Sequence, residues 1–157
     1  MKVPAIAAAA AVALLAGCGT TGATSTQNAG ASNAPASCHS QYETWKHGAA
    51  ETMFKQQLQP ALRTVQAAAS SMDIPKLNSA LQNAGNMAQQ LTAYPLPHCA
   101  DPGGFWGKML GYIKAAGDNA GTSSGLAGLL AAMAPLEHVK PVLNQLSAEL
   151  KLTAGVA

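Results

Sequence analysis

Between Trp45 and Leu150 the apolar residues recur at intervals of three and four, which confines them to one face of an α-helix. A strand would need alternation at every second residue. No run of alternating β-branched residues occurs, and alanine dominates instead. The expected fold is all-α, and caps and prolines mark where its helices start and stop. Ser40 and Glu43 have the spacing of a capping box, which places the start of a first helix at Ser40. Its apolar face runs through Trp45, Ala49, Met53, Phe54, Leu58, Leu62 and Val65, and Pro60 is expected to kink it, since an interior proline lacks the N–H and crowds the preceding turn.

Asp73, with Pro75 in the following turn, opens a second helix with Leu77, Leu81, Ala84, Ala88 and Leu91 on one side. Pro95 and Pro97 end it and make Tyr94 to His98 an extended connector. Asp101-Pro102 repeats the cap-plus-proline form and predicts a third helix carrying Phe105, Met109, Ile113 and Ala116, followed by a turn over 117–125, where three glycines and two serines gather. A fourth helix, apolar from Leu126 to Met133 and again from Leu136 to Leu150, is expected to break near Pro135. The architecture implied is a four-helix-type bundle. Glycines 103, 107 and 111 would form a smooth stripe for close helix approach, and the uncharged run 119–136 reads as core helix.

Two cysteines can be tested against that layout. An antiparallel hairpin of the first two helices brings the start of one and the end of the other to the same end, where Cys38 and Cys99 lie. The first helical region is longer by about 15 Å at 1.5 Å per residue, and about five extended connector residues make up that length. A Cys38–Cys99 disulfide is therefore expected, closing a loop whose entropic contribution is roughly 4 kcal/mol. The same hairpin brings His39 and His98 together, a Cys2His2 set for zinc in principle. Against it, neighbours on an extended chain point apart and the usual C-x2-C and H-x3-H spacings are missing. His47 and His138 are isolated among polar neighbours.

The amino end is of another kind. Lys2 precedes an apolar run over residues 5–16, too short to span a bilayer but suited to a signal peptide. The run ends in Leu15-Ala16-Gly17-Cys18, which resembles the lipobox of bacterial lipoproteins. That resemblance covers 18 residues and implies removal of 1–17, with diacylglyceryl and acyl (palmitate-type) chains on Cys18, a lipid anchor on the extracytoplasmic face of the cell membrane. Residues 18–37 then form the lipidated cysteine and a tether with no charge and no large apolar residue, which reaches about 25 Å as a flexible coil. Residues 38–157 remain for one helical domain. With its alanine content and helix-rich layout the chain is similar to small helical lipoproteins of actinobacterial type, a likeness that carries over no functional residue.

The chain holds nine basic and seven acidic residues; without Lys2 the balance is eight to seven, and no basic stripe of the kind nucleic acid requires is present. No cofactor is implied: there is no C-x-x-C-H for haem, no Walker loop and no G-x-S-x-G. Neither paired carboxylates nor a poised nucleophile is marked out by spacing. The expectation is a non-enzymatic binding or envelope-interaction module for a protein, a peptide or an apolar small molecule. The alternative is a hydrolase or metal-dependent enzyme that joins the histidines to Glu43, Glu51 or Asp101, which requires at least three of them in one cleft. Trp45 and Trp106 are expected in the core.

Overall fold

The computed structural model describes residues 37–153. The expected signal peptide, Cys18 and all of the expected tether but Ser37 lie outside the described residues, as do residues 154–157. Among the described residues all regular structure is helical. The first arm comprises α1 (Cys38–Lys46), α2 (Ala49–Met53), a π-helical turn (Phe54–Leu58) and α3 (Gln59–Ser70). The second and third arms are α4 (Ile74–Leu91) and α5 (Phe105–Thr122). The fourth is α6 (Gly125–Ala132), a 3-10 turn (Ala134–His138) and α7 (Val139–Thr153), so the break falls at Pro135.

The first arm begins three residues earlier than the capping box suggests. Ser37, not Ser40, is the N-cap, its Oγ accepting from the Ser40 amide at 3.2 Å, which puts Cys38 in the first helical turn. Glu43 turns to Lys46 and His47 instead of reaching back to Ser40. Ahead of Pro60 the helix widens by one residue in the π turn, where the Gln59 amide bonds to the Phe54 carbonyl five residues back. Pro60 then sits in the first turn of α3, where its missing N–H has no intrahelical partner to lose.

Met72, in the left-handed region at φ 54°, closes α3: the Met72 amide bonds to the Ala69 carbonyl and the Asp73 amide to that of Ala68, satisfying carbonyls left open by the helix end. Asp73 caps α4 as its sequence implies, its Oδ1 accepting from the Lys76 amide at 3.1 Å. At α5 the cap works at longer range. Gly104 takes φ 64°, Pro102 stays outside the helix, and the Asp101 carboxylate reaches over the intervening turn to the Phe105 and Trp106 amides at 2.7 and 2.9 Å.

The expected turn at 117–125 is mostly helix, since α5 runs on to Thr122. The reason is Gly117, which meets Gly85 of α4 backbone to backbone. A Cβ on Gly117 would lie 2.7 Å from the Gly85 Cα, and one on Gly85 would lie 2.9 Å from the Gly117 Cα. The stripe at 103, 107 and 111 serves no such approach: Gly107 and Gly111 face open space, and Gly103 precedes the helix against the Phe105 ring.

The core is built around α5, whose Met109, Leu110 and Ile113 are enclosed with Leu81 and Leu91 of α4, Leu58 of the π turn and Leu129 of α6. The uncharged run is core only in part: Leu129 and Ala132 are buried, while Leu126 and Leu130 stay 43% and 56% exposed. The Cys38–Cys99 disulfide closes the first two arms, with a Cα–Cα distance of 5.7 Å. Gly117→Ala is expected to cost about 1–3 kcal/mol in urea unfolding, because the added methyl meets backbone that cannot yield. Gly107→Ala and Gly111→Ala are expected to be neutral or to stabilise by up to about 1 kcal/mol, since only helix propensity changes there.

Candidate functional site

The residues singled out by sequence gather at the disulfide-closed end of the bundle. There the connector after α4 leaves the Tyr94 carbonyl pointing at two indoles. Trp45 Nε1 and Trp106 Nε1 both donate to it, each at 3.2 Å. The two rings meet edge to face with centroids 5.2 Å apart, and Phe54 lies against Trp106 at 5.4 Å. A buried indole N–H needs an acceptor, and one main-chain oxygen supplies it for both. Trp106 is buried and Trp45 half-buried, as expected for core positions. Tyr42 completes the cluster; burial and then the Glu51 and Glu43 carboxylates push its hydroxyl above the usual phenol range.

Beneath this cluster two carboxyl groups meet. Asp101 is 5% exposed and holds the start of α5 through its two amide bonds. Glu149, reaching in from α7 with its Oε2 shielded from solvent, hydrogen-bonds to Asp101. Burial first, then the bond to Asp101 and its negative charge, raise the Glu149 carboxyl above the usual range; the Gly103 amide and Lys108 only partly offset this. Asp101 for its part faces the two N–H donors at the start of α5. The pairing answers the expectation of no paired carboxylates. Its separation of 48 residues gives no local signal, and the clue was a glutamate beside Leu146 and Leu150 on the apolar side of its helix.

The pair is a joint, not a vacant acid–base site: both Asp101 oxygens are taken by the backbone of α5. The remaining candidates do not converge on it. His39 and His98 flank the disulfide and are exposed, and both cysteine sulfurs of the imagined zinc set are consumed by their bond to each other. Glu43 pairs with Lys46 at 3.4 Å and with His47 at 3.3 Å; those cations, with His39, outweigh its partial desolvation and hold its carboxyl below the usual range. Glu51 pairs with Lys55. His138 lies beside the Tyr112 ring, 5.1 Å between centroids. Among the described residues no three His, Cys, Asp or Glu side chains are placed to share a metal ion.

Two surface grooves lie among the described residues. One, of about 340 Å³, follows the α4–α5 crossing and is lined by Gln82, Gly85, Asn86, Gly117, Asp118, Gly121 and Thr122. The other, of about 320 Å³, lies along the first arm between Lys46, His47, Glu51, Thr52, Lys55 and Gln56. Both are open, lacking the enclosed apolar walls that hold a small molecule. No family model matches the sequence, no curated protein is similar to it and no solved structure matches its fold.

The Glu149 shift has a sign that can be measured. A carboxyl raised by folding binds a proton that the unfolded chain releases, so its contribution is complete at low pH and is lost as pH rises from about 4.3 through the raised value. Glu149→Gln keeps a donor toward Asp101 at every pH. In urea titrations the variant is expected to gain on the native chain as pH increases from 4.5 to 7.5 and to be the more stable of the two at neutral pH.

Proposed function

We propose that the protein is a lipid-anchored extracytoplasmic lipoprotein whose helical domain is a non-enzymatic binding or envelope-interaction module. The observation that carries the address is the disulfide: Cys99 is tied to Cys38, the residue directly after the 18–37 segment that follows the lipobox. Disulfides persist in oxidising compartments outside the cytoplasm, so the cross-link and the Leu15-Ala16-Gly17-Cys18 motif, independent of each other, agree. Acyl chains on Cys18 would hold the domain at the membrane through its tether.

The binding role rests on how the polar groups are used. Asp101 and Glu149 join α5 to α7, Glu43 and Glu51 hold lysines of their own arm, and the cysteines close the fold. These carboxylates and cysteines have structural partners, which supports surface recognition of a protein, a peptide or an apolar molecule as the work of the domain.

Intact mass spectrometry of the protein purified from its native membrane tests this. The expected chain starts at Cys18, carries diacylglyceryl and acyl mass there, and gains two daltons on reduction. A Cys18→Ser chain is expected to leave the membrane fraction. An unlipidated chain with free thiols overturns the address, and turnover of a hydrolase substrate by the purified domain overturns the non-enzymatic reading.

A further inference from the structure

We propose that the outward face of α6 is a second membrane contact of the anchored chain, an apolar patch that rests on the phospholipid surface to which Cys18 is tied; this builds on the lipid-anchored reading above. No charged residue occurs from Asn119 to Leu136, and α6 lies wholly within that run. A helix apolar on every side is ordinarily enclosed by protein. Here only Leu129 and Ala132 turn inward. Leu126 and Leu130, one turn apart, are 43% and 56% exposed, and Ala127, Ala131 and Ala134 are exposed beside them.

The next charged residues along the chain are Asp118 and Glu137. The patch therefore offers a partner neither charge nor pattern, only apolar area, which suits the interfacial zone of a bilayer. The segment Gly125–Lys151 is long and apolar enough to cross a membrane by length and composition, with hydropathy 1.2 and 17% of that window buried. Its geometry favours lying on the surface. The 3-10 turn at Ala134–His138 divides it, Glu137 and Lys140 fall near its middle, and α6 alone is about 12 Å long against a hydrocarbon thickness of about 30 Å.

The tether decides between lipid and other apolar partners. Cys38 is bonded at the end of the bundle where α5 starts, and α6 follows the other end of α5, about 27 Å away. The chain from Cys18 to Ser37 is long enough to span at most about 60 Å. Once Cys18 is anchored, that length allows α6 to reach the bilayer, at an effective concentration on the order of millimolar. Two leucines and three alanines are too little area to recruit a free protein, and enough to orient one that is already anchored.

The test uses the mature lipidated chain in phosphatidylcholine vesicles, with the Cys18→Ser chain added to the same vesicles as the free form, and follows amide hydrogen exchange by mass spectrometry. Exchange over residues 125–133 is expected to slow at least threefold in the anchored chain while α4 is unchanged. Leu126→Asn with Leu130→Asn is expected to abolish the slowing while the chain still floats with the vesicles. Equal exchange in anchored and free chains, with flotation intact, overturns the α6 contact and leaves the anchor standing. A mature chain with no lipid mass on Cys18 overturns the anchor itself. Slowing that needs no vesicles and grows with protein concentration assigns the face to a second copy of the chain and overturns the membrane contact.

Discussion

The contact between Gly85 and Gly117 sets the spacing on which the rest of the bundle depends. With no Cβ on either side, α4 and α5 cross at backbone distance, and Leu81, Leu110 and Ile113 of the same two helices are buried in the core. Every other arm then packs against a pair whose separation is fixed. Because α5 must present Gly117 in register, it has to stay helical through a stretch rich in residues that favour turns, and tertiary packing overrides the local preference.

Two further joints hold the arms to that pair, and they differ in kind. The disulfide fixes the start of the first arm to the connector after α4 by a covalent bond. The Asp101–Glu149 joint fixes α7 to the start of α5 by bringing two acids together, where burial and the Asp101 contact raise the Glu149 carboxyl above its usual range. Such a joint is conditional on pH, whereas the disulfide is conditional on the redox state of the compartment. The domain thus carries two independent sensitivities to its surroundings.

Much of the fold was legible in the sequence because periodicity, caps and proline positions act locally. The all-helical class, the Asp73 cap, the break at Pro135 and the cysteine pairing all follow from such signals. The misreadings share a cause. Glycines at 107 and 111 and at 85 and 117 look alike in sequence, and only the facing helix decides which of them need to lack a side chain. Ser37 displaced Ser40 as cap because more than one register satisfies the same local rule. The pairing of Asp101 with Glu149 and the exposure of Leu126 and Leu130 depend on how distant segments pack, and no short-range pattern records them.

The shared Tyr94 carbonyl has a consequence for observing the molecule. The chain has two tryptophans, and both of their N–H groups end on that one oxygen. Its intrinsic fluorescence is therefore a spectroscopic signal from a single location, the connector beside the disulfide, and does not average over the whole domain. Loosening of that joint would change the emission of both rings together. Events at α6, near the far end of α5, would leave the light unaltered, so the protein carries a native optical label for one end of its bundle and is dark at the other.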